Sequence, residues 1–152
     1  MRLIIYKIPE KEKVLYNLGQ LLEKLCKQNK IGILCSEDVV GMIDDILWTF
    51  STNIFLPHDI ATGNEEIDSR QPIVISADMN WLNRKVLCLF TNEDLFKILD
   101  KINVLDEVEH IVYMLQMKEE NDIEKIIEKV KNNVNNICID VYQKSNNRWV
   151  KI

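Results

Sequence analysis

Glycine is scarce in this chain, four residues in 152, and proline is scarcer at three. Nucleotide-binding α/β folds cradle phosphate on a glycine-rich turn after the first strand, where only a bare backbone can approach the anion. The corresponding turn here is KIPEKEK, 7–13, which has no glycine. Neither a G-x-G-x-x-G nor a G-x-x-x-x-G-K-[ST] run occurs anywhere. ATP or NAD chemistry by those motifs is excluded, and what remains of that class is a degenerate nucleotide-binding domain. Long apolar runs are missing too. None approaches the ~20 residues of a membrane span. In MRLIIYKIPEKEK the first apolar run is broken by Lys7, short of the ~7–15 residues of a signal-peptide core. The expectation is a cytoplasmic chain.

Cysteine spacing and basic charge bound the chemistry further. Cys26, Cys35, Cys88 and Cys138 are far apart and form no C-x-x-C pair. Metal-ligand spacing is therefore absent, and small buried hydrophobes are the plain reading. Lys and Arg number 19 against 24 Asp and Glu, for a net charge of −5. Phosphate neutralisation needs clustered positive charge, so a sequence-independent grip on nucleic acid is not expected; any contact with it is indirect.

What is present reads as alternating strands and helices. RLIIYKI, 2–8, is a β-branched run and a first strand. Pro9 suits the first turn of a helix over 10–28, where Val14, Leu15, Leu18, Leu21, Leu22, Leu25 and Cys26 recur at three- and four-residue steps. KIGILC then leads to Ser36, an N-cap for a second helix ending near Trp48. TGNEEIDSRQP, 62–72, is a polar loop, as is ADMNWLNR; PIVIS and KVLCLF are strands buried on both faces. A helix over 92–101 is capped at Asn92, HIVYML is a strand, 119–136 is a helix and ICIDVYQ a strand; NNRWVKI is a short terminal segment. The fold class is α/β, one domain over 1–152. It has three layers: a mostly parallel sheet with helices on both faces, Rossmann-like but without the glycine loop.

Catalytic candidates are few. Cys35 stands at a strand end before a helix N-terminus, a place that can activate a thiol. A cysteine-dependent enzyme would also need a base, and the only histidines are His58 and His110. The adjacent pairs Asp44–Asp45 and Glu65–Glu66 read as solvated carboxylates, since acid–base pairs are set in space and not by adjacency. The segment DDILWTFSTNIFLPHDI, 44–60, is different. It begins as a helix and then loses any period while concentrating Trp48, Phe50, Phe55 and Leu56. Such aromatics are core or the anchors of a protein interface.

Its spacing resembles the chi subunit of bacterial DNA polymerase III. IDDILW at 43–48 and FLPHDIATG at 55–63 resemble that family's LD..LW and F.PH elements. QPIVIS and KVLCLF follow in the family's order, and DVYQKSNNRWVKI resembles its ending, with Asn147 where the family has glycine. The resemblance implies an α/β fold without enzymatic activity of its own; no cofactor and no metal are expected, from the glycine and cysteine patterns above. It also implies two partners: the psi subunit of the clamp loader and the acidic C-terminal tail of single-stranded-DNA-binding protein. The psi-contacting Trp and Phe correspond to Trp48 and Phe55, and a third apolar contact falls at Met114 or Leu115; Phe50 and Leu56 are left to the core. For the tail the family uses basic residues, including an Arg on the late helix. Here the basic residues of 121–136 are Lys125, Lys129 and Lys131, with Glu124 and Glu128 beside them.

Overall fold

The computed structural model describes residues 1–10, 12–61, 70–118 and 122–152. Strands β1 (Arg2–Ile8), β2 (Ile31–Leu34), β3 (His58–Ile60), β4 (Ile73–Ser76), β5 (Val86–Leu89), β6 (His110–Gln116), β7 (Cys138–Ser145) and β8 (Arg148–Lys151) join into one sheet. Its order is β3-β4-β2-β5-β6-β1-β7-β8, and every pairing is parallel except the final β7–β8 hairpin. The helices are α1 (Val14–Leu25), α2 (Glu37–Thr49), α3 (Asn92–Asp100) and α4 (Asp122–Asn133).

Two apolar cores make the three layers. On one face, Leu18, Leu21 and Leu22 of α1 and Val40, Ile43 and Leu47 of α2 pack over Ile31, Ile33, Ile73, Ile75, Val112 and Met114. On the other, Leu95, Ile98 and Leu99 of α3 and Ile123, Ile126 and Val130 of α4 cover Leu3, Ile5, Leu87, Leu89, Ile111 and Leu115. Neighbours along β6 divide between the two cores, because successive strand side chains point to opposite faces. β2, β4 and β5 are buried at every residue, which is why they read as unbroken apolar runs.

Local chemistry shifts several boundaries. Pro9 does not open α1. Its carbonyl instead takes the Glu12 N–H and the Gln116 side-chain amide, closing a turn after β1, and the helix starts at Val14 behind Lys13. Thr91, not Asn92, caps α3: its hydroxyl accepts the Asp94 N–H at 3.1 Å. Asn92 is the first helical residue and takes the Tyr113 hydroxyl instead. The loop over 77–84 contains one 3₁₀ turn, Met79–Trp81, held by Asp78. Two elements expected to be irregular are strands, β3 and β8. The loop expectation for 62–69, with Glu65 and Glu66, and the first residues of the late helix, 119–121, fall outside the described residues.

Asn146 and Asn147 link β7 to β8 with φ of 50° and 61°. A two-residue hairpin needs this left-handed pair to match the strand twist, and asparagine is one of the few side-chain-bearing residues that tolerate it. That is how Asn147 stands where the resemblance expects glycine.

Candidate functional site

The end of α2 and the connection after it bring two exposed aromatics together. Trp48 lies in the last turn of α2 and is 55% exposed, and Phe55, in the connection to β3, is 59% exposed. Their rings sit 5.1 Å apart at 37°, a tilted pair facing solvent. Ile54 beside them is also exposed. Leu56 is buried, and the Phe50 ring packs on α1, where a Cβ on Gly19 would come within 2.5 Å of it. Phe50 and Leu56 are therefore core. The connection is anchored at Phe50 and Leu56 and presents Ile54 and Phe55 between them.

His58 holds this arrangement from beneath. Its ring is 1% exposed and lies edge-on to Trp48 at 5.0 Å. Nδ1 donates to the Leu56 carbonyl at 2.6 Å, and Nε2 is 2.8 Å from Asp44 Oδ1. Each ring nitrogen thus faces an oxygen, the Leu56 carbonyl on one side and the Asp44 carboxylate on the other. Asp44 is one turn before Trp48 on the same face of α2, so the His58–Asp44 contact ties the start of β3 to the helix exactly where the two aromatics emerge. Sequence reasoning treated Asp44 as a solvated carboxylate and missed this contact. The signal was the pairing of D…LW with PH, an acid one turn before the tryptophan and a base after the proline.

The other residues named for this surface are elsewhere. Met114 and Leu115 are buried on opposite sides of β6, Met114 under α1 and α2 and Leu115 under α3 and α4. Neither is presented to a partner. A strand covered on both faces has no side chain to offer outside.

The late-helix lysines divide. Lys125 and Lys129, one turn apart on α4, border a cleft of about 430 Å³ between α3 and α4 with Phe96, Lys97, Glu93 and Asp100. Lys129 Nζ stands 4.2 Å over the Phe96 ring. Lys97 is bonded to Glu93 at 3.3 Å. Lys131 is exposed but does not border the cleft, being two residues round the helix from Lys129.

Cys35 borders a crevice of about 670 Å³ at the C-terminal ends of the strands, together with Leu34, Phe90, Met42 and Asp94. Ligands of open α/β sheets often sit in such a crevice. Burial, with Asp94 and Asp38 adding to it, pushes the Cys35 thiol up to about 12, the reverse of activation. Both histidines begin strands, β3 and β6, at the opposite edge of the sheet, so no imidazole serves Cys35 as a base. The helices that open on this edge carry Glu37 and Asp38, and Glu93 and Asp94, in their first turns. Those carboxylates occupy the electropositive ends that would otherwise receive phosphate. Among the described residues no group of His, Cys, Asp and Glu could hold a metal ion, and no helix is long and apolar enough to cross a membrane.

No curated protein matches the chain. The family of the DNA polymerase III chi subunit, HolC, does match, over residues 2–129, from β1 through most of α4. That span contains the Trp48–Phe55 pair, the His58–Asp44 contact beneath it and both cleft lysines. This chain belongs to the DNA polymerase III chi subunit family, the accessory subunits of a replicative polymerase.

Proposed function

We propose that this chain is a non-catalytic adaptor of the polymerase III holoenzyme, acting in the cytoplasm as a single 1–152 domain. It links the psi subunit of the clamp loader to single-stranded-DNA-binding protein during replication. The observation that carries the reading is the exposed Trp48–Phe55 pair, ordered from below by His58 and Asp44. Leaving two large aromatics in water forgoes their burial, whereas docking them against an apolar partner segment recovers it. Aromatic anchors of this kind typically cost about 2 kcal/mol or more each when truncated. Calorimetric titration with psi tests the site. The double substitution Trp48→Ala plus Phe55→Ala is expected to weaken binding about 100-fold or more. Undiminished binding rejects the assignment.

For the second partner we place the acidic tail of single-stranded-DNA-binding protein in the α3–α4 cleft, with Lys125 and Lys129 receiving carboxylates and Phe96 flooring the groove. Lys131 contributes only long-range charge. Lysine offers a point charge where arginine offers a fork, and Glu93, Asp100, Glu124 and Glu128 oppose an acidic guest. The contact is therefore weak and salt-sensitive. Lys125→Glu with Lys129→Glu abolishes it in a tail-peptide titration; unchanged affinity relocates the tail.

A further inference from the structure

Gly41 lies in the interior of α2, where glycine destabilises a helix relative to alanine. Two other glycines have reasons inside the fold. A Cβ on Gly19 would meet the Phe50 ring at 2.5 Å, and one on Gly32 would meet Leu87 at 2.8 Å. A Cβ on Gly41 meets no described atom within 4 Å. Its backbone is ordinary helix, so no left-handed φ requires it either. Within the described fold its lack of a side chain serves no packing purpose.

Its position supplies one. Glu37, Gly41, Asp44 and Trp48 follow one another at helical steps along a single stripe of α2, about 16 Å from end to end. The lower end of the stripe is the aromatic surface described above. At the upper end a depression of about 470 Å³ opens beside Gly41, bordered by Glu37, Val40, Ala61, Ser76 and Asp78.

Charge identifies what fits there. From Ser36 to Ala61 the chain has no Lys or Arg and five carboxylates, Glu37, Asp38, Asp44, Asp45 and Asp59. The net charge of the whole chain is −5, so everything outside this segment is balanced. The excess negative charge of the protein is concentrated on α2, which carries Trp48, and on β3, which follows the connection that carries Phe55.

We propose that this stripe seats a helix of the partner, apolar along one side and carrying basic residues, with its closest approach at Gly41 and its apolar end on Trp48 and Phe55. This rests on the adaptor reading above and extends that contact from its aromatic end along the length of α2. Gly41 admits the second backbone, while exposed Glu37 at the upper end of the stripe and exposed Asp45 beside it meet its basic side chains. A side chain at position 41 would hold the two helices apart.

The test pairs thermal melting of the isolated chain with calorimetric titration of psi, for Gly41→Ala, Gly41→Gln and the Trp48→Ala plus Phe55→Ala control. Both glycine variants are expected to melt higher than the parent, Gly41→Ala by about 2–4 °C. Gly41→Ala is expected to bind several-fold more weakly and Gly41→Gln at least tenfold more weakly, with affinity of the parent falling as salt rises. A chain made more stable yet worse at docking is an outcome that general structural damage does not produce. If Gly41→Gln binds like the parent while the aromatic control fails, the stripe is not part of the contact, though the aromatic site stands. If either glycine variant melts below the parent, the chain itself fills the depression and the proposal is wrong. If psi does not bind the parent chain at all, both this proposal and the adaptor reading fall.

Discussion

Replacing His58 by alanine removes the support beneath the aromatic surface, and its cost can be worked out from the contacts. The ring is 1% exposed, so its two hydrogen bonds are made away from water. The bond to the Asp44 carboxylate belongs to the charge-assisted class, worth about 1.5–3 kcal/mol, and the bond to the Leu56 carbonyl is worth about 1 kcal/mol. The Asp44 side chain is 29% exposed, and water reaching it after the substitution recovers part of the first figure. The net expectation is a loss of about 2–3 kcal/mol, or about 5–10 °C in melting temperature for a chain of this size.

Urea unfolding gives the free energy directly. Asp44→Ala and the double variant complete a cycle whose coupling should be about 1–2 kcal/mol, because the two groups touch. Asp44→Asn serves as the informative control. A neutral ring that keeps its proton on Nδ1 still accepts an amide N–H at Nε2, so this variant should cost less than Asp44→Ala. Near-ultraviolet circular dichroism reads the surface itself, since the Trp48–Phe55 pair loses its fixed geometry when the ring beneath it goes. A loss below about 1 kcal/mol for His58→Ala, with His58 and Asp44 additive within about 0.5 kcal/mol, would refute the idea that this contact orders the site.

Three further outcomes follow from other parts of the fold. A thiol reagent at pH 8, followed by mass spectrometry, should label exposed Cys138 first and leave Cys35 and Cys88 slow, since burial holds both thiols near 12; rapid labelling of Cys35 would revive thiol chemistry. Asn147→Ala should destabilise the β7–β8 hairpin by about 1 kcal/mol in a urea melt while Asn147→Gly is close to neutral, because φ is 61° there. Hydrogen bonding to Lys151 holds the Asp140 carboxyl below its usual range, with Arg2 adding to the effect. A depressed carboxylate stabilises fully above its unfolded value, about 4, and that stabilisation is lost as pH falls through the lower folded value. Asp140→Asn should therefore flatten the acid limb of a pH–stability profile, and an unchanged limb would count against this pairing.

Much of the fold was legible because its causes are local. Unbroken apolar runs identified β2, β4 and β5, and three- and four-residue periodicity identified α1, α2 and α4. The missed elements are those whose causes lie elsewhere in the chain. HDI at 58–60 has no apolar alternation and becomes a strand only because β4 offers it a ladder. RWVK becomes one because Asn146 and Asn147 fold it back on β7. Pro9 was assigned to a helix start by its φ preference, but the carbonyl it exposes was more useful closing a turn with Gln116, 107 residues away. The site divides in the same way. Trp48 and Phe55 could be named from their spacing, but their exposure depends on His58 reaching Asp44, and no period announces that contact.

The aromatic pair lies at a corner of the sheet, away from its C-terminal edge. In open α/β folds the ligand crevice lies at the C-terminal ends of the strands, where helix N-termini attract anions. Here the helices that open on that edge carry acidic residues in their first turns. The crevice beside Cys35 is still about 670 Å³, yet Asp38 and Asp94 are near enough to raise its thiol, and Glu37 and Glu93 stand in the same first turns. Acidic residues there stabilise the helices by meeting their dipoles, so helix stability and anion binding compete for the same N–H groups. The carboxylates at these positions serve helix stability. The aromatic pair is at the other end of α2, at the C-terminus of that helix and beside a three-residue edge strand. That edge is partly closed, because the Asp59 carboxylate takes the Ile60 N–H at 2.9 Å. A partner arriving there is offered side chains rather than a backbone ladder, which favours docking on Trp48 and Phe55 over indiscriminate strand addition.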